Sequence, residues 1–139
     1  MVRVTLSGNM AFTAVGDSGN AFTMDAAVES GGDATGPTPV ETLLGAAAAC
    51  SGMDVISILR KKKQNVTHYR IEVDGERNPP GTWPRPFLSI HLRHILRGEN
   101  LDPDAVKRAV ELSDEKYCTV MLTLKTSPVV TSDFVLETD

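Results

Sequence analysis

The chain contains 139 residues, of which 41% are apolar and 23% are charged. This composition predicts a single domain over residues 1–139 with a hydrophobic core, and it excludes a disordered or fibrous chain. The net charge of −4 argues against nucleic acid as a partner, because such binding depends on neutralising phosphates. No uninterrupted apolar run approaches the ~20 residues of a membrane span, and the first residues lack the apolar core of a secretion signal. We therefore expect a cytoplasmic protein that does not bind membranes.

The N-terminal third of the sequence predicts a small antiparallel meander. Alternating apolar residues indicate strands at residues 2–6, 11–15 and 21–28, and a Gly-rich turn at 16–20 separates the last two. A loop rich in Gly, Asp, Thr and Pro follows over residues 29–39.

A long helix is predicted from Val40 to Lys62. Thr38 is a candidate N-cap, Pro39 suits the first turn, and Glu41 stands at the spacing of a capping box. The first half of this helix is apolar on every side, so it must be covered on every side. Because one small sheet covers one side, we expect a second subunit to cover the other.

The second half of the chain contains elements of both kinds. In chain order they are strands at 69–73 and 87–96, a helix that Asp102 caps, a helical piece at about 116–124 and a strand at 129–136. Ser113 and Asp114 interrupt the helical region. This order indicates an α+β fold with antiparallel strand pairing.

Two cysteines are too few for a disulfide framework, so they are candidates for thiol chemistry. Cys50 lies in the middle of the long helix, and Cys118 lies near the start of a later one. Either residue alone is more often a small core side chain than a reactive group. A thiol with an ordinary pKa of ~8.5 is only a few per cent ionised at neutral pH. A redox role therefore requires a nearby cation or helix terminus.

Other chemistry has little support in the sequence. His91 and His94 are three apart on a predicted strand, so they point to opposite faces, and His68 lies on another strand. We therefore expect no metal site at these residues. Nucleotide-binding and serine-hydrolase motifs are absent. Asp54 follows Cys50 in the helix, and we expect it to face solvent or to form a hydrogen bond on the helix.

Two segments carry a family resemblance. Residues 37–55, PTPVETLLGAAAACSGMDV, and residues 112–120, LSDEKYCTV, resemble the OsmC/Ohr family of osmotically induced and organic hydroperoxide resistance proteins, especially its YhfA-like branch. The resemblance implies an OsmC-like fold, with antiparallel sheets packed around long central helices in an intertwined homodimer. It also implies a cysteine-based peroxidase that acts against oxidative stress without a metal or an organic cofactor.

The same resemblance assigns roles to the two cysteines. Cys50 is expected to be the peroxidatic thiolate that attacks a hydroperoxide and becomes a sulfenic acid. Cys118 is expected to be the resolving thiol that forms a disulfide with it, and a reducing dithiol or thiol reductase would regenerate the pair. The two thiols should then share a pocket walled by apolar side chains such as Met53 and Met121.

The sequence departs from the pattern of the family's peroxidases in two places. Those proteins place an Arg in the turn between the early strands, whereas the turn at residues 15–19 contains none. Their partner Glu directly follows the proline of the helix motif, where this chain has Val40, with Glu41 one residue later. Glu41 is therefore a possible supporting residue only. A substitute cation would come from Arg3, Arg77, Arg85 or the partner subunit.

Two alternatives remain open at this stage. One is a non-catalytic OsmC-like dimer that binds a small ligand in the same cavity. The other is a thiol redox sensor with slow turnover.

Overall fold

Five strands and three α-helices form the described part of the chain, residues 1–137, in the computed structural model. The elements are β1 (Arg3–Leu6), β2 (Phe12–Val15), β3 (Ala21–Met24), α1 (Pro39–Lys61), β4 (Asn65–Arg77), β5 (Phe87–Glu99), α2 (Pro103–Leu112) and α3 (Thr119–Lys125). Strands β1, β2 and β3 form one antiparallel sheet, and β4 and β5 form another. The predicted α+β class with antiparallel pairing is confirmed.

The third strand ends four residues earlier than predicted, at Met24. The cause is Asp25, whose buried carboxylate accepts hydrogen bonds from the backbone N–H groups of Ala26 at 2.7 Å and Thr35 at 3.1 Å. The Thr35 hydroxyl donates a third, at 2.7 Å. These bonds turn the chain away from the sheet and order the loop that leads to α1.

The sheet of β1, β2 and β3, here called the N-terminal sheet, has one apolar face and one polar face. The register aligns Val4 with Phe22 through Ala14, and Leu6 with Met24 through Phe12, on the same face. Thr13 and Thr23 pair on the opposite face, where their hydroxyl oxygens lie 2.9 Å apart. Within residues 1–137 this sheet packs extensively against no other element. Its exposed apolar side chains include Val4 (49%), Leu6 (57%), Phe12 (43%) and Phe22 (50%).

The predicted start of the long helix is confirmed at atomic detail. The Thr38 side chain accepts a hydrogen bond from the N–H of Glu41 at 3.2 Å, and the Glu41 carboxylate accepts one from the N–H of Thr38 at 3.0 Å. Pro39 occupies the first turn, where its missing N–H costs no hydrogen bond. The helix ends at Lys61, with Arg60 and Lys61 at the negative end of its dipole.

Helix α1 is also long and apolar enough to cross a membrane by length and composition alone, with a mean hydropathy of 1.6 over 18 residues. The lack of an uninterrupted apolar run therefore did not exclude such a helix, because a membrane-spanning stretch of 18 residues can contain up to two charged residues. The core helix of a soluble protein has the same properties. In this structure the side chains of Val55 and Leu59 are completely buried against α2.

The core lies between α1, α2 and the β4–β5 sheet. Val55 and Leu59 from α1 meet Ala105 and Ala109 from α2, and Tyr69 and Leu96 of the sheet pack against this cluster. Strands β4 and β5 contain 13 residues each and are longer than predicted. They hold one side of α1, while α2 and α3 hold another.

Two predictions for the C-terminal part are corrected. The second helical piece begins at Thr119 rather than at 116, because residues Ser113–Tyr117 form a π-helical segment. The predicted strand at 129–136 is wrong: these residues form no regular element, and Val129 and Leu136 are 93% and 86% exposed. A strand needs a hydrogen-bonded neighbour, and this segment pairs with none among the described residues.

Candidate active site around two cysteines

Cys50 and Cys118 come from distant parts of the sequence and lie together at the α1–α3 contact. Cys50 is half-buried in the middle of α1, and Cys118 is fully buried as the N-cap of α3. Both are free thiols. The two residues are near enough for the charge of an ionised Cys50 to raise the pKa of Cys118. The fold thus brings together the two residues to which the sequence assigned thiol chemistry.

The π-helical segment determines where Cys118 lies. The segment extends α2 by a wider turn and closes when the N–H of Cys118 donates a 2.9 Å hydrogen bond to the carbonyl of Ser113. Cys118 then leaves helical geometry, with φ −76° and ψ 96°, and begins α3. π-Helical turns are rare in proteins, and those that occur often lie at functional sites. The sequence indicated the interruption at Ser113 and Asp114 but not this geometry.

The surroundings of Cys118 favour its neutral thiol. Burial is the main cause that raises the pKa of Cys118, and the neighbouring charges of Cys50 and Asp54 raise it further. The N–H of Met121 opposes them, because its 3.4 Å hydrogen bond to the Cys118 sulfur favours the thiolate. The net effect is a raised pKa, so Cys118 keeps its proton at neutral pH.

A buried hydrogen-bond group connects α1 to the π-helical segment beside the cysteines. The Ser113 hydroxyl lies 3.0 Å from the Asp54 carboxylate and 3.1 Å from the Ser51 hydroxyl. The geometry makes Ser113 the donor at both contacts, and because a hydroxyl has one proton, we assign that proton to the Asp54 carboxylate, which can only accept. Ser51 and Ser113 are fully buried. The expectation that Asp54 faces solvent or forms a hydrogen bond on its own helix is therefore wrong, because its partner Ser113 lies in another segment that no local spacing indicated.

The structure places the other predicted residues away from the thiols. Glu41 is held in the capping box at the start of α1. Arg77 and Arg85 donate from Nε to the carbonyls of Arg85 and Asn78, at 2.8 Å and 2.6 Å, in the β4–β5 loop. Arg3 lines a hollow on the polar face of the N-terminal sheet. Among residues 1–137, the charged side chain that acts on Cys118 is the acidic Asp54 and not a cation.

The expectation that the Met53 side chain walls the thiol pocket is wrong, whereas the expectation for the Met121 side chain stays a prediction. Met121 contacts Cys118 through its backbone N–H. Met53 is 69% exposed and lines a different hollow of about 400 Å³, between α1 and β4, with Tyr69 and Ile71.

A tyrosine–histidine pair lies on the sheet side of α1. The Tyr69 hydroxyl and Nδ1 of His94 are 2.6 Å apart, and burial lowers the pKa of His94 while the charge of Asp114 opposes that shift. Burial raises the pKa of Tyr69. Tyr69 is paired with Leu96, so His94 is its diagonal neighbour across the strands, within reach of an aromatic side chain. The period-two pattern of both strands was the signal for this contact.

No group of three or more potential metal-binding side chains occurs within residues 1–137. Of the three histidines, His94 is engaged by Tyr69, and His68 contacts the neighbouring Thr67 hydroxyl at 3.2 Å.

Comparison with known proteins identifies the family. Residues 31–133 match the family model described as OsmC-like protein. The chain belongs to the OsmC-like family. It is 38% identical over 132 residues to Protein YhfA of Escherichia coli strain K12, an alignment that covers 95% of this chain and 94% of that protein. The resemblance drawn from the two cysteine segments is therefore confirmed.

Solved structures agree with this OsmC-like assignment. A hypothetical protein from Aquifex aeolicus is 32% identical, with a TM-score of 0.76 and coverage of 91% of this chain and 87% of that one. An organic hydroperoxide resistance protein OsmC from Legionella pneumophila is 13% identical, with a TM-score of 0.63 and coverage of 90% and 88%. At that identity, the second likeness shows the shared fold alone.

Proposed function

We propose that this OsmC-like protein is a cytoplasmic thiol peroxidase that reduces organic hydroperoxides, and hydrogen peroxide by the same chemistry, in defence against oxidative stress. The observation that carries the proposal is the proximity of Cys50 and Cys118 at the contact between α1 and α3, since no local sequence relationship brings these two thiols together. Its metal-free chemistry needs only these two side chains and an external reductant.

The reaction begins at Cys50, the more accessible of the two thiols. Its thiolate attacks one peroxide oxygen, the O–O bond breaks, and the alkoxide takes a proton and leaves as an alcohol. Cys50 then carries a sulfenic acid. The Cys118 sulfur attacks the Cys50 sulfur, the S–O bond breaks, and the hydroxyl leaves as water with the Cys118 proton. A small dithiol or a thiol reductase reduces the resulting disulfide by exchange.

The different surroundings of the two thiols support this division of roles. Cys118 is fully buried, and its raised pKa keeps it protonated, which disfavours it as the first nucleophile. A resolving thiol, in contrast, has only to reach an adjacent sulfenic sulfur. The apolar residues around Cys50 on α1 favour organic hydroperoxides over more polar ones.

An intertwined homodimer is part of this proposal. The apolar face of the N-terminal sheet and the exposed residues 129–136 are surfaces that a folded monomer rarely leaves uncovered. A second chain would cover them and would bring its own cations toward the thiols. Such a cation would stabilise the Cys50 thiolate, whereas the charged side chain that acts on the neighbouring Cys118 within residues 1–137 is the acidic Asp54.

A second candidate function is a ligand-binding or redox-sensing OsmC-like dimer. The observation that favours it is the acidic neighbour of the thiol pair, Asp54, where a peroxidase benefits from a cation. Oxidation of Cys50 would then be slow, and the disulfide would act as a signal rather than as a catalytic intermediate.

One equivalent of cumene hydroperoxide, added to the reduced protein, tests the proposal. We expect rapid loss of both free thiols and a decrease in intact mass by two hydrogen atoms, as an intramolecular disulfide requires. Turnover with an added dithiol separates the two candidates, because a sensor is oxidised once and is recycled slowly. Retention of both thiols after this treatment would rule out the peroxidase.

A further inference from the structure

We propose that Asp54 is a positioning residue for the Cys50–Cys118 disulfide: through Ser113 it holds the π-helical segment, and with it Cys118, against the helix that carries Cys50. The role of this disulfide in turnover rests on the proposed function. The positioning itself concerns the geometry of two thiols and is testable without peroxide.

Two hydrogen bonds connect Asp54 to the backbone of Cys118. The Asp54 carboxylate accepts the Ser113 hydroxyl at 3.0 Å, and the Ser113 carbonyl accepts the N–H of Cys118 at 2.9 Å. Asp54 follows Cys50 by four residues on α1, so the two side chains point to the same side of the helix. Ser113 therefore binds the Cys50 helix with its side chain and the Cys118 backbone with its carbonyl.

The burial of this connection makes it strong enough to fix the segment. Ser113 and Ser51 are fully buried, so water does not compete for their hydroxyls. A hydrogen bond to a carboxylate is about twice as strong as one between neutral groups. The residues between the two ends of the segment, Glu115, Lys116 and Tyr117, are all exposed. The attachment of the segment to α1 beside the cysteines therefore depends on Ser113.

Disulfide formation is sensitive to this kind of attachment. The S–S bond requires the two Cα atoms within about 7 Å and a narrow range of dihedral angles. A small displacement of Cys118 lowers the effective concentration of its thiol at Cys50. Asp54 also raises the pKa of Cys118, after the larger effect of burial, so the same side chain that positions this thiol helps to keep it neutral.

The test is the equilibrium of the Cys50–Cys118 pair with reduced and oxidised glutathione. It compares the wild type with Ser113→Ala, Asp54→Ala and Asp54→Asn, and it uses Ser57→Ala on the exposed side of α1 as the matched control. We expect Ser113→Ala and Asp54→Ala to lower the equilibrium constant for disulfide formation about tenfold or more. Asp54→Asn retains an oxygen that accepts the Ser113 proton and should remain within about threefold of wild type. Ser57→Ala should change nothing.

Equilibrium constants unchanged in both Ser113→Ala and Asp54→Ala would overturn the positioning role. So would a loss in Asp54→Asn as large as in Asp54→Ala, because the charge rather than the hydrogen bond would then be responsible. Circular dichroism measured during heating identifies any variant that does not fold. If Ser113→Ala does not fold, the comparison of Asp54→Asn with Asp54→Ala decides whether the hydrogen bond positions Cys118. A wild type that forms the disulfide with glutathione but ignores peroxide would contradict the peroxidase and leave the positioning role intact.

Discussion

The backbone N–H of Met121 donates a 3.4 Å hydrogen bond to the sulfur of Cys118 in the first turn of α3. This bond favours the thiolate, whereas burial and the charges of Cys50 and Asp54 favour the thiol, and the second group of effects dominates. The pKa of Cys118 therefore depends on a balance of opposing effects, and a substitution of Asp54 on α1 changes one of them.

Removal of the Asp54 charge should lower the pKa of Cys118. We expect the single thiol of Cys50→Ser/Asp54→Asn to ionise at lower pH than that of Cys50→Ser, because a negative charge beside the sulfur disfavours the thiolate. Burial, the largest cause, remains in both proteins. The ultraviolet absorbance of the thiolate, followed as a function of pH, measures the difference. Coincident titration curves would show that the Asp54 charge does not reach Cys118.

The two cysteine variants should differ in kind. Cys50→Ser should abolish peroxide consumption, because the attack needs the first thiol. Cys118→Ser should still be oxidised once, and its unresolved sulfenic acid should proceed to the sulfinic acid with excess peroxide. Intact mass after stepwise addition of cumene hydroperoxide distinguishes these products. Equal peroxide consumption by wild type and Cys50→Ser would eliminate the catalytic role of Cys50.

The apolar face of the N-terminal sheet should be buried between subunits. We expect a dimer at micromolar concentration in sedimentation equilibrium, since interfaces of obligate dimers bury about 2,000 Å² or more. Val4→Asp should shift this equilibrium toward monomer, because Val4 lies on the apolar face and is 49% exposed in the single chain. Thr5→Asp, on the opposite face of the same strand, is the matched control. A folded monomer of the wild type would refute the dimer.

The loop before α1 should lose stability in acid. Hydrogen bonds, the Thr35 hydroxyl first, lower the pKa of Asp25 from 3.8 to about 2. A lowered pKa in the folded state stabilises the protein at pH values above the unfolded pKa, and this stabilisation is lost as the pH falls through about 2. Asp25→Ala should therefore lower the urea midpoint at neutral pH and flatten its dependence on pH below about 4.

Asp33→Ala is the control for that comparison, because Asp33 is exposed and gives Asp25 only its backbone N–H. An Asp25→Ala variant with the urea midpoint of wild type across this pH range would show that the loop does not depend on the carboxylate.

Local chemistry made part of the fold predictable. Thr38, Pro39 and Glu41 determine the start of α1 through contacts within one turn, so their pattern was sufficient. Residues 129–136 show the limit of such patterns, because alternation describes which residues suit a strand and not whether a neighbouring strand exists. Contacts between distant segments, such as Ser113 with Asp54, depend on how α1 and α2 pack, and one sequence does not contain that geometry. The two cysteines were identified as a pair through a family resemblance and not through spacing.

The length of the π-helical segment and the side chains within it affect the position of Cys118 differently. Its ends, Ser113 and Cys118, are buried and joined by a 2.9 Å hydrogen bond, whereas Glu115, Lys116 and Tyr117 between them face solvent. The number of these three residues, rather than any burial of their side chains, therefore sets the position of Cys118. Loss of one residue would restore ordinary helical winding and turn Cys118 by about 100° relative to α1. In the π-helical segment we therefore expect insertions and deletions to displace Cys118 more than substitutions of the exposed residues do.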